Sequence, residues 1–178
     1  MKRKLLTVVL ILSFLPFSSP SATAVIDLQG DLERIISGIN RFDANSATSA
    51  SVSNISDVKR ITANNGAILQ EIKNANAIYK RDLNKAKKLL PSRDTKDSPA
   101  FSTLMNLAKG YEQWLKYQNM NQTTAQNCIK KAGNSYDSFS LCLVGALSRT
   151  LENERVGRLK LESAFNAWKQ WQIKYGYA

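Results

Sequence analysis

Apolar residues recur at three- and four-residue steps along most of the chain, and nowhere do they alternate with the period of two that a half-buried strand requires. From about Val25 to Phe42, Leu28, Leu32, Ile35, Ile36, Ile39 and Phe42 make one helical face. Asp27, Asp31 and Glu33 stand near its start, where carboxylates favour the helix dipole. Asp43 to Ser53 (DANSATSASVS) is small and polar and reads as a flexible linker. A second helix is predicted from Ser56, as N-cap, to Leu90, on the spacing of Val58, Ile61, Ile68, Leu69, Ile72, Ala75, Tyr79, Leu83, Ala86 and Leu90. Asn64, Asn65 and Gly66 are poor helix residues and are expected to kink or split it. Pro91 stops it, and PSRDTKDS follows as a loop.

Ser98-Pro99 opens a third helix, with proline at the first helical position. Phe101, Leu104, Met105, Ala108, Tyr111 and Leu115 line one face, with Trp114 beside it, and the helix is expected to end near Met120, before the polar run NQTTAQN. A shorter helical piece around Cys128 and a turn at Gly133-Asn134-Ser135 come next. The last segment, about Ser138 to Tyr175, carries Leu141, Val144, Leu147, Leu151, Val156, Leu159, Leu161, Phe165, Trp168 and Trp171 at helical intervals. The expected fold is all-α: an antiparallel helical bundle over 54–178, with an N-terminal helix tethered by the 43–53 linker.

The first 24 residues have the layout of a secretory leader. Lys2, Arg3 and Lys4 precede an apolar stretch from Leu5 to Phe17, and Ala22-Thr23-Ala24 offers a small-x-small cleavage site. The apolar stretch is shorter than the roughly 20 residues that span a bilayer. Cleavage after Ala24 is expected, leaving Val25–Ala178 as a secreted or periplasmic chain. Removing three of the 25 basic residues, against 14 acidic ones, leaves a net charge of +8. Such a charge draws a protein to anionic surfaces.

Composition narrows the chemistry. The chain has no histidine, which removes His-based triads, Cys–His dyads and imidazole metal sites. Two cysteines cannot build a Cys-rich zinc site or an iron–sulfur cluster by themselves. Asp94/Asp97 and Glu152/Glu154 are the carboxylate pairs open to glycosidase chemistry, and both read better as solvated surface groups. No phosphate-cradling loop, nucleophile elbow or calcium loop is present, and nothing in the residues points to a Ser–Lys dyad. The chain therefore reads as non-enzymatic, with no cofactor or metal.

Cys128 and Cys142 are the only cysteines, and in an oxidising compartment they are expected to pair, the alternative being two buried thiols. The bridge closes a loop of about 15 residues, worth roughly 3 kcal/mol in the chain-entropy model. Lys80, Arg81, Lys85, Lys87 and Lys88 crowd the end of the second helix. They read either as complement to the helix dipole or as a patch for anionic lipid or polymer. Tyr79 is the one aromatic among them, and with export this argues against nucleic acid. Phe165, Trp168, Trp171, Tyr175 and Tyr177 are expected to pack, or alternatively to anchor at a membrane interface.

The stretch from about Tyr79 to Leu161 resembles the exported helical domains of the LprI-type lysozyme-inhibitor family. The matching features are YKRDLNKAKKLL, the Trp114-Leu115-Lys116-Tyr117 helix, Cys128, Gly133-Asn134-Ser135-Tyr136, Leu141-Cys142-Leu143, and a final helix with Arg149, Arg155 and Leu159. The resemblance implies an all-α domain with a Cys128–Cys142 disulfide. It also implies a lysozyme-like protein partner in the envelope or outside the cell, met through Trp114, Tyr117 and Tyr136. The residues themselves name no partner and set no oligomeric state. A basic factor holding an envelope surface, or a structural part of an envelope assembly, are the alternatives.

Overall fold

The computed structural model describes residues 26–89 and 99–174, so the expectations for the leader, the loop after Pro91 and Tyr175 and Tyr177 lie outside the described residues. Within them the chain is all-α, with four helices and no strand: α1 (Leu28–Thr48), α2 (Ile55–Leu89), α3 (Pro99–Ala132) and α4 (Tyr136–Lys174). The Cys128–Cys142 disulfide is formed, with the two Cα atoms 5.6 Å apart.

Three expectations are corrected by these bounds. The stretch read as a flexible linker is mostly helical: α1 runs on to Thr48, a 3-10 turn covers Ser49–Ser51, and only a short extended link precedes α2. The reason is lateral bonding. Asn45 Nδ2 donates to Asn65 Oδ1 at 2.7 Å and to the Ile61 carbonyl, and Asn65 in turn donates to the Ser46 hydroxyl. Those same bonds use Asn65, so α2 passes through Asn64-Asn65-Gly66 without a break. Likewise α3 does not end near Met120 but continues through NQTTAQN to Ala132, making one 34-residue helix with the piece around Cys128.

The helix ends follow local chemistry. Asp27 caps α1 by accepting from the Gly30 N–H at 2.8 Å, and Asn54 rather than Ser56 caps α2, accepting from the Asp57 N–H at 2.8 Å. The Asn54 amide, seconded by Arg60, holds the Asp57 carboxyl below its usual range. Gly133 ends α3 with φ of +59°, a conformation that costs glycine nothing, and its N–H reaches back to the Ile129 carbonyl. The Ser135 hydroxyl then accepts from the Ser138 N–H, starting α4 two residues earlier than expected.

The helices pack up-down-up-down. Arg41 pairs with Glu71 across α1–α2, Asn76 with the Ala108 carbonyl across α2–α3, and Gln118 with Glu154 across α3–α4. The α3–α4 hairpin is the most extensive of these contacts, and α1 and α4 touch only sparsely. One core joins all four helices, centred on Ile35, Leu69, Ile72, Tyr79, Leu83, Leu107, Tyr111 and Trp114. The N-terminal helix is thus part of the main core as well as linked to it. Backbones approach closely there: a Cβ added at Gly38 would stand 2.5 Å from Ile72 Cγ1, and one at Gly110 would stand 2.5 Å from Ala164 Cβ.

This core also buries polar groups. Asp31 is closed off from solvent, with Arg34 on its Oδ1 at 3.2 Å and no protein partner on Oδ2. Burial, and then the nearby Asp82 charge, push its carboxyl above the usual range. Asp82 itself is held low by its bond to Arg81. The Tyr79 and Tyr111 hydroxyls are pushed up by burial.

Candidate functional site

α1 stops at Thr48, whereas the start of α2, the end of α3 and the start of α4 extend beyond it to a second, smaller core. There Ile55, Val58, Cys128, Ala132 and Phe139 pack together around the disulfide. Between the two cores, along the loose α1–α4 seam, lies an open cleft of about 430 Å³. That is within the size range of small-ligand sites.

The cleft is built in bands. Val58 and Ile61 from α2, Phe139, Leu143, Val144 and Leu147 from α4, and Phe42 from α1 supply apolar walls. Gln118, Asn121 and Gln122 from α3, with Asn65 and Thr62 from α2, supply uncharged polar groups. Most of that amide capacity is already spent on the fold. Asn121 Nδ2 donates to the Thr150 carbonyl at 3.1 Å, Asn153 donates to Asn121 Oδ1, and Gln122 donates to the Thr62 carbonyl.

Each end is bridged by side chains. At one, Tyr136 Oη donates to the Val52 carbonyl at 2.7 Å, tying the start of α4 to the link before α2. At the other, Arg158 on α4 holds Asp43 on α1 at 2.7 Å and also Glu154. The Asp43 bond, chiefly, raises the Arg158 guanidinium further above its usual range. Among the described residues, Asp43, Glu154 and Arg158 are the only ionisable acids and bases lining the cleft besides the Tyr136 phenol, so that lining is net acidic in a basic protein.

Along the rim of the cleft and beyond it, α4 turns large apolar side chains to solvent. Leu141 is 76% exposed, Val144 64% and Leu151 60%, with Leu147 and Leu159 also exposed. Their helical spacing was legible in the sequence, but the direction they face was not.

The residues proposed for partner contact are not brought together. Trp114 is fully buried, edge-on to Phe42 with ring centroids 5.5 Å apart, so direct contact with a partner is corrected to a core role. Tyr117 is half-buried, with Lys116 5.9 Å from its ring centroid. Only Tyr136 lines the cleft. In the basic cluster, Lys80 pairs with Glu112, and Arg81 and Lys85 both pair with Asp82, while Lys87 and Lys88 are exposed without an ion pair among the described residues. Phe165 and Trp168 pack against each other edge-on, and Trp168 is buried. Glu152 and Glu154 are bound by Arg155 and Arg158.

Sequence reasoning missed Phe42, Asp43, Gln118, Asn121 and Arg158 as neighbours. The one available signal was the density of Asn and Gln from Gln118 to Gln126, which reads as a loop unless the amides are given inter-helical work. Among the described residues no group of three or more Cys, Asp or Glu is placed to hold a metal, and no helix is long and apolar enough to cross a membrane. Comparison of the chain with protein-family models, curated proteins and solved structures returned no match.

Proposed function

We propose that the chain is an exported, non-catalytic binding module of the bacterial cell envelope, which takes a protein partner at the cleft between α1 and α4. The observation that carries this reading is the cleft itself: an apolar-walled opening on a loose seam, bridged at both ends and bordered by exposed leucines. Leu141, Val144, Leu147 and Leu151 are exposed as neighbours along α4, and adjoining exposed apolar side chains mark interaction sites where single ones do not. The leader-like first 24 residues and the disulfide support export.

The partner class implied by the resemblance, a lysozyme-like cell-wall hydrolase, gains support from the charge of the lining. A basic hydrolase is repelled by a +8 chain in general, but Asp43 and Glu154 against Arg158 give the cleft the opposite sign. The anionic-surface alternative rests chiefly on Lys87 and Lys88, the two of its five cations without an ion pair among the described residues.

The test is a cell-wall clearing assay with the oxidised protein against several lysozymes at physiological salt. One-to-one inhibition is expected; Ser140 of α4 also lines the cleft, and Ser140→Trp, which fills it, is expected to abolish the inhibition. No inhibition of any lysozyme retires the hydrolase as partner; inhibition indifferent to Ser140→Trp retires the cleft.

A further inference from the structure

The exposed apolar residues of α4 belong to a longer pattern that ends in charges. Asp137, Leu141, Val144, Ser148, Leu151 and Arg155 follow one another at steps of four and three, the spacing of a coiled-coil seam. All six are exposed, and no other described helix covers them. Leu141, Val144 and Leu151 thus make a short apolar stripe, flanked by Asp137 and Arg155, on which no described helix packs.

We propose that its occupant is a second copy of this chain, docked antiparallel through the same stripe of α4. The order of residues carries the proposal, because the stripe is complementary to itself when reversed. A twofold axis beside Ala146 sets Leu141 opposite Leu151 of the second copy and Val144 opposite Ser148. It also sets Asp137 opposite Arg155, so each end of the stripe closes on an opposite charge. A partner unrelated to this chain has no reason to require that symmetry, whereas a twofold dimer requires residue i to meet j and j to meet i. Parallel pairing is disfavoured by the same residues, since it places Asp137 on Asp137 and Arg155 on Arg155.

The middle of the stripe is suited to close approach. Gly145 lies beside Val144, and a Cβ built there meets nothing within 4 Å. Ser148 is small, so the two helix axes can draw together at the crossing while Leu141 and Leu151 cover the flanks. The six positions extend over about 27 Å of helix at 1.5 Å per residue. Arg155 is bound to Glu152 in the single chain, but both are exposed, and such a pair holds its cation only weakly. The guanidinium has donors enough to keep Glu152 and take Asp137 of the second copy.

The pairing goes beyond the binding-module reading and does not rest on it: Val144 belongs to both the stripe and the cleft wall, whereas Asp137 and Arg155 lie outside the cleft lining, so their reversal reports the dimer by mass while lysozyme inhibition reports the cleft. The experiment is sedimentation equilibrium of the oxidised protein, expressed as the full chain and collected after processing, over a wide concentration range. A monomer–dimer equilibrium is expected for the native sequence. Asp137→Arg and Arg155→Asp should each weaken dimerisation by roughly tenfold or more, since each creates like-charge contacts at both ends of the stripe. The double variant restores both pairs and should recover most of the native affinity. Val144→Lys should leave a monomer with unchanged helix content by circular dichroism, since its side chain supports no core. A single-copy mass at every concentration overturns the proposal, and so does a dimer indifferent to the single charge reversals. Binding of the monomer to anionic vesicles through Leu141 and Leu151, with no dimer in solution, assigns the stripe to a membrane surface instead.

Discussion

The two ends of the bundle use the same helices for different purposes. Around Tyr79, Tyr111 and Trp114 all four helices contribute to one core, and glycines at 38 and 110 bring backbones together until no further methyl fits. At the disulfide end α1 is absent, the remaining core is small, and α4 shows its leucines to solvent. A protein that needed only to be stable has no use for the second arrangement. The contrast teaches that stability is concentrated at one end, leaving the other free to present a cleft and an apolar stripe, with a covalent bond in place of packing.

The sharpest way to break that comparison is to empty the dense end. Trp114→Ala is expected to cost about 3–5 kcal/mol, the range for deleting a large buried aromatic, read as a lowered urea midpoint. A loss below about 1 kcal/mol would place the site among surface positions and end the distinction. Next comes the disulfide. Replacing Cys128 and Cys142 with alanine should cost roughly 3 kcal/mol, as expected for a loop of this length. Hydrogen exchange should quicken first near residues 126–145, with the α1–α2 amides slowest to follow; equal loosening everywhere would show the two ends to be one cooperative unit.

A matched pair of smaller substitutions tests the same contrast with opposite signs. Gly110→Ala drives a methyl into Ala164 and should destabilise by about 1–3 kcal/mol. In the dilute single chain Gly145→Ala meets open space on an exposed helix and should stabilise by about 0.5–1 kcal/mol. Thermal melts of the two variants decide this, and a shared sign would mean that α4 is packed alike along its length.

The smallest effect concerns Asp31. Burial and the Asp82 charge raise its folded pKa above the unfolded value, so the folded state binds this proton more readily. The charged form therefore subtracts from stability above the folded pKa. Asp31→Asn should raise the urea midpoint at neutral pH, by less than any change above, and the gain should fade as pH falls through that raised pKa. A gain that persists unchanged in acid would assign the effect to something other than charge.

Much of the architecture was legible in the chain. The 3.6-residue period marked all four helices, and two cysteines in a sequence with a leader-like start implied their pairing. What failed was the reading of polar runs. DANSATSASVS and NQTTAQN have loop composition, yet Asn45 and Ser46 bond to α2, and Asn121 and Gln122 bond to α4 and α2. Propensity is a local quantity, and these bonds are made between residues up to 60 positions apart. The site was less legible for a related reason. Periodicity identifies an apolar face but not its neighbour, so Leu141 and Leu151 looked like Leu161, although the first two face outward and the last lies in the core.

The amides between α3 and α4 have a mechanical consequence. An apolar seam tolerates a slide of one helical turn, about 5.4 Å, because one leucine can stand in for the next. Directed bonds do not: such a slide would part Asn153 from Asn121 and Asn121 from the Thr150 carbonyl, leaving both unmatched. The hairpin is thereby indexed to a single register, pinned by the disulfide at one end and by the close fit of Gly110 on Ala164 at the other. With its travel locked at three points, α4 behaves as a ruler rather than a lever, and its outward stripe is offered at one height and one azimuth.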